Sequence, residues 1–244
     1  MPRRTPAPSP APRRHTSTRR PRNAADSRQR ILNAAATEFA LRGFAAAGVD
    51  RIAARARLNK AMIYYHFQSK QNLYRTVLRD VFGAMGAHLQ TIADSPDTPF
   101  AKLDHFVQAF VDQGARVPHF APIILREIAE GGRRLDEETY TLMVRIVRTM
   151  TGIVNEGRAA GQFNDVDPIL LYLTTVWPIM VYLATEPIRH TMARIAKIDS
   201  ARFEPDRFIT HLQTLNRRTL SARPATGQRA ADVSLRHRSN GDSL

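Results

Sequence analysis

The side chains best suited to chemistry in this chain lie between positions 51 and 70: Arg51, Arg55, Arg57, Lys60, Tyr64, Tyr65, His66 and Lys70. Cations and aromatic hydroxyls at this density suit a polyanion, because they neutralise or hydrogen-bond phosphates while longer side chains reach base edges. Catalysis asks for other patterns. His105, His119, Asp104, Asp112, Glu127 and Glu130 could be assembled into a metal or acid–base centre. Yet the sequence holds no HExxH, no His/carboxylate pair at ligand spacing and no glycine-rich phosphate loop. With zero cysteines, disulfides, thiolate metal sites and a cysteine nucleophile are excluded. The chain reads as a non-enzyme, with no metal and no cofactor.

These residues sit in the stretch 43–73, GFAAAGVDRIAARARLNKAMIYYHFQSKQNL. It predicts two short helices joined by a tight turn, then the start of a longer one, the order of a helix-turn-helix. A helix over 49–56 turns Val49, Ile52, Ala53 and Ala56 inward. A second over 60–66 is capped by Asn59 and buries Ile63 and Phe67, and Ser69 caps a helix from Lys70 to roughly Ala93. A first helix begins near Asp26, with Gln29 in capping-box position, buries Ile31, Leu32, Ala35 and Phe39, and stops at Gly43. Because the N-terminal end of a recognition helix enters the groove, Lys60, Ala61, Met62 and Tyr65 are the expected base contacts. Arg51, Arg55, Tyr64, His66 and Lys70 are the expected phosphate contacts, with Arg57 a further candidate.

The net charge of +14 is uneven: residues 1–30 hold nine arginines against Asp26, and residues 217–244 hold six against two aspartates. Between the basic head and tail the chain is near neutral. Residues 1–25 and 221–244 read as disordered basic segments, 26–73 as the helix-turn-helix domain, and 74–220 as a helical body for effector binding and dimerisation. Body helices are expected at about 99–116, 119–130, 136–159, 167–185 and 205–219, giving nine helices in an all-α chain. Residues 168–185 carry no charge but include Pro178, and read as a buried interface helix rather than a membrane span.

Gly43-Phe44, Ile52-Ala53, Ala56, Ile63-Tyr64-Tyr65-His66-Phe67, Ser69-Lys70 and Leu73 together resemble the DNA-binding domain of TetR/AcrR-type transcriptional regulators. The likeness covers about 45 residues. Two places depart from the family. Its usual threonine is Ala47 here, and its Gly-Val-Ser turn is Arg57-Leu58-Asn59, which predicts strain or an altered turn at Arg57. The resemblance implies a cytoplasmic homodimer, joined through helices near 168–185 and 205–219, that represses from a palindromic operator and answers to an unknown small molecule. Phe106, Phe110, Phe120, Ile124, Met143, Ile146, Trp177 and Met180 either line an effector pocket or form plain core. Arg126, Glu127, Glu130, Arg133 and Arg134 are either polar ligand contacts or solvated ion pairs. The rival reading is a non-specific nucleic-acid or anionic-surface binder driven by the Arg-rich ends.

Overall fold

A computed structural model describes residues 19–221 of the 244, with side chains from residue 24 onward. The described residues form ten α-helices: α1 (Arg19–Ala46), α2 (Val49–Ala56), α3 (Lys60–Phe67), α4 (Lys70–Ala93), α5 (Pro99–Arg116), α6 (Phe120–Ala129), α7 (Glu137–Ala159), α8 (Pro168–Ala184), α9 (Glu186–Ala196) and α10 (Pro205–Leu220). A single 3-10 turn, Ser200–Phe203, leads into α10. Among the described residues the only strand-like pairing is an isolated bridge between Phe163 and Ser221. The chain is all-α.

Local chemistry sets the starts. Asn59 accepts from the Ala61 amide, Ser69 from Asn72, Thr98 from Ala101 and Asp136 from Thr139, each supplying an acceptor that the first turn lacks. Pro99, Pro168 and Pro205 open α5, α8 and α10, where a missing N–H costs nothing.

Two expectations are corrected. The first helix starts at Arg19, so Asp26 lies within it, paired with Arg30 at 3.7 Å, and is no cap. Gln29 likewise donates to Asn33 one turn on rather than closing a capping box. Residues 19–25, read as part of the arm, therefore belong to α1, while 1–18 and 222–244 lie outside the described residues. A tenth helix, α9, was also missed. Pro187 occupies its first turn, where proline is tolerated, so it starts a helix instead of only ending one. Pro178 sits inside α8 without terminating it.

The α4–α7 pair is the most extensive packing in the body, with α5 and α8 closing over it. Phe106, Phe110, Phe120, Ile124, Ile146 and Met180 are buried there, and Met143 and Trp177 are packed at its edge. Phe82 meets Phe120 edge-on at 4.9 Å, and Phe106 lies 5.9 Å from Phe110. Six of these eight side chains are thus buried, and two are packed against the core from its edge. No single described helix is long and apolar enough to cross a membrane, although α8 and α9, bent by 73°, pass that test as a pair.

Candidate nucleic-acid interface

The head is built from α1, α2 and α3 with the start of α4. Ile31, Ala35, Phe39, Ala47, Ile52, Ala53, Ile63, Phe67 and Leu73 form its interior, as their apolar periodicity requires. The α2–α3 turn is tight because Arg57 takes the left-handed conformation, φ 54°, so that its N–H and that of Leu58 bond back to Ala54 and Ala53. This is the geometry for which glycine is usual, and here arginine carries its strain. Arg30 holds the same corner from α1, donating to the Ala56 and Arg57 carbonyls at 2.6 and 3.2 Å.

On the outward face of α3, Ala61 and Tyr65 are exposed, Tyr65 by 73%, and Tyr64 is partly so. Lys60 reaches Asp50 of α2 at 2.9 Å, and the hydrogen bond and charge of that carboxylate raise the lysine's pKa. Met62 is half-buried against the core, leaving only part of its side chain for a groove. His66 is half-buried too, its Nε2 sharing a 3.1 Å hydrogen bond with the Ser27 hydroxyl.

The basic flank is organised by a residue to which the sequence reading assigned no role. Glu38 of α1 is only 3% exposed. Its carboxylate receives Arg42 at 3.2 Å, Arg55 at 3.0 Å and Arg51 at 3.7 Å. Burying one anion among three half-exposed guanidiniums is made favourable by their charge and by a hydrogen bond to each oxygen, from Arg55 to Oε1 and from Arg42 to Oε2. Arg51 also donates to the Ala46 carbonyl beside Gly48, the residue that starts α2 without any side-chain cap. With Ala47 in place of a hydroxyl residue, that helix start has no side-chain acceptor. Spacing of four links Glu38 to Arg42 in the sequence, but only the crossing of α1 and α2 brings in Arg51 and Arg55.

Lys70, at the start of α4, donates to the Ala45 carbonyl at 3.2 Å and lies 4.6 Å from the centre of the Phe44 ring. Burial, together with nearby Arg134 and Arg51, lowers its pKa. Arg134 covers the same ring at 4.8 Å, so Phe44 is shared by two cations, one from the head and one from the body.

That contact belongs to a polar junction between body and head. Glu127 of α6, 1% exposed, accepts from the Tyr74 hydroxyl at 2.8 Å and from the Arg134 amide and guanidinium at 2.8 and 3.2 Å. Burial and this bond push the Tyr74 phenol well above its ordinary range. Arg126 donates to the carbonyls of Phe39 and Ala40, near the place where Gly43, φ 71°, breaks α1. Glu127 is an interior partner of Tyr74 and Arg134, Arg126 reaches α1 from an exposed position, Glu130 pairs with Arg134 at the surface, and Arg133 is exposed. Among the described residues no cluster of metal-ligating side chains occurs.

Residues 31–77 match the family model described as bacterial regulatory proteins, tetR family, and residues 99–207 match a tetracyclin repressor-like C-terminal domain. The transcriptional repressor KstR2 of Mycolicibacterium smegmatis is 31% identical over 157 residues, covering 62% of this chain and 75% of that protein. The transcriptional repressor NicS of Pseudomonas putida is 27% identical over 180 residues, covering 72% and 82%. Among solved structures, a tetR-family regulatory protein from Rhodococcus RHA1 shares the fold at a TM-score of 0.66 and 21% identity, over 81% of this chain and 98% of that one.

Proposed function

The chain belongs to the TetR family of DNA-binding transcriptional regulators, and from that premise we propose that it is a ligand-responsive repressor binding a palindromic operator as a homodimer. The observation that carries this reading is the face of α3. On this reading Lys60, Ala61, the exposed part of Met62 and Tyr65 would meet base edges, and Arg51, Arg55, Tyr64, His66 and Lys70 would meet phosphates, which their exposed or half-exposed positions on the head support. Repression is favoured over activation because KstR2 and NicS, to which the chain is similar over most of its length, are repressors. The Arg-rich ends would add affinity without selectivity.

Dimerisation through α8 and α10 is supported by a stripe of exposed apolar residues, Leu170, Leu173 and Val181 on α8 with Leu215 on α10. A two-fold pair would set two recognition helices about 34 Å apart, one turn of DNA. The response to a ligand would run through the junction of Arg126, Glu127 and Arg134. Any shift of α6 or of the turn after it displaces Phe44 and the end of α1, which is a coupling energy between two sites.

The test begins with selection of bound fragments from the source genome, followed by operator titration of Lys60→Ala and Tyr65→Ala. Each exposed side chain can be removed without disturbing the core, so the thermal midpoint should hold while affinity for the selected site falls by about 1–3 kcal/mol. Operator affinity equal to that of the unaltered protein in both variants would remove α3 as the reading helix.

A further inference from the structure

His66 of α3 is tied to α1 through one atom. Ser27, 6% exposed, places its hydroxyl oxygen 3.1 Å from His66 Nε2. The same hydroxyl donates to the Ala24 carbonyl at 2.9 Å. A carbonyl can only accept and a hydroxyl has one hydrogen, so that hydrogen goes to Ala24 and Oγ faces the ring as an acceptor. The hydrogen of the Ser27–His66 bond then comes from Nε2. Neutral His66 is therefore the Nε2–H tautomer, and its Nδ1 carries a bare lone pair. Nδ1 has no partner of its own among the described residues.

A phosphate contact depends on that lone pair. A phosphodiester accepts hydrogen bonds and donates none, so a neutral His66 held by Ser27 has nothing to offer it at Nδ1. The imidazolium has a hydrogen on both nitrogens. It keeps its bond to Ser27 through Nε2 and presents Nδ1–H together with a positive charge. Among the described residues no carboxylate pairs with His66, because the charged groups of the neighbouring elements are engaged elsewhere. Asp26 pairs with Arg30 on α1, and Asp50 of α2 with Lys60 at the other end of α3. Arg28 of α1 lies 5.5 Å from the Phe67 ring centre and acts on Asp80 of α4, while Lys70 of α4 donates to the Ala45 carbonyl. The rings beside His66 are Tyr65 and Phe67, at 5.0 and 6.0 Å.

We propose that Ser27 is a positioning residue that fixes the tautomer of His66 and makes operator binding proton-linked: each head takes up one proton from solvent at Nδ1 as His66 closes on a phosphate oxygen. The inference rests on the reading of α3 as the DNA-reading helix. It goes beyond that reading by making the grip of the head tighten as pH falls through the range in which an imidazole gains its charge.

The test is operator titration of the full-length protein at constant ionic strength from about pH 6 to about pH 8, for the parent, His66→Gln and Ser27→Ala. Parent affinity should fall as pH rises, by up to about tenfold per pH unit for each head engaged. His66→Gln should lose most of that slope, which separates His66 from the other histidines. Alanine is the better helix former, so Ser27→Ala keeps α1 while freeing the ring to carry its hydrogen on Nδ1. Its profile should be clearly shallower than the parent's, whereas a merely structural role would move only the thermal midpoint. Nitrogen-15 NMR of the DNA-free parent at about pH 8, with His66 assigned by its absence from His66→Gln, should show Nδ1 without a hydrogen. A flat parent profile, a slope kept by His66→Gln or undiminished in Ser27→Ala, or a hydrogen on Nδ1 in that spectrum would each overturn the inference. Lys60→Ala and Tyr65→Ala are titrated alongside. Undiminished affinity in both would count against α3 as the reading helix, and a loss there beside a flat parent profile would count against the proton link only.

Discussion

Glu38 is the residue on which the basic flank depends, since one buried carboxylate orients Arg42, Arg51 and Arg55. Replacing it by glutamine keeps the shape and removes the charge. Glu38→Gln is expected to cost about 1–3 kcal/mol in urea denaturation, less than a fully buried pair because the guanidiniums remain half in solvent. It should also weaken operator binding, as Arg51 and Arg55 lose their common anchor. A variant as stable as the parent and equally tight on DNA would show that the cluster does neither. From the sequence the cations of this region were legible by type and spacing, whereas their acid was not. Its partners sit on another helix, and the linear pattern offers only the pair four residues apart.

Helix ends carry the next set of expectations. Arg57 ends α2 in the left-handed region, where a Cβ clashes with the backbone. Arg57→Gly should therefore raise stability by about 0.5–1 kcal/mol, after allowing for the added freedom of the unfolded chain, with the Arg30 bonds to the same carbonyls retained. A lower thermal midpoint would refute that account of the turn.

Asp136 starts α7 and is also engaged by Arg79 and Arg75 of α4. Although burial works against the charged form, bonds from Thr139 and Arg79 hold its carboxyl at about 2, below the ordinary 3.8. A depressed folded-state pKa means stability that is complete above the ordinary value and is lost as pH falls from there through about 2. The effect is worth about 2 kcal/mol. Asp136→Asn keeps a capping oxygen but discards the ion pairs, so its unfolding free energy should lie below the parent's at pH 7 and converge with it in strong acid. Parallel pH profiles would contradict this. The capping residues Asn59 and Ser69 were readable in advance because a cap acts within three residues. The early start of α1 and the existence of α9 were not, since a proline at a first turn and an acid inside a helix look the same as punctuation and cap.

For the whole molecule, the consequential feature is the exposed apolar stripe of α8. If the proposed dimer forms through this face, Leu173→Glu places two charges across its two-fold interface. It is expected to give a monomer by sedimentation, to leave the α-helical signal unchanged, and to lower operator affinity at least about tenfold, because one head cannot use both half-sites. Dimers persisting in that variant would shift the interface to another face. The sequence by itself determined the all-α class, the helix-turn-helix with its inner and outer faces, the regulatory family and the basic character of the head. Those properties are written in local periodicity, caps and residue type over short spans. Only the tertiary structure decided that Glu38 gathers three arginines and that Arg126, Glu127 and Arg134 join body to head. It also decided that six of the eight apolar candidates for a pocket are buried where α4, α5, α6, α7 and α8 pack together. Each of these depends on side chains brought together from distant helices, and helix crossing geometry is set by packing of the whole core rather than by any one stretch of sequence.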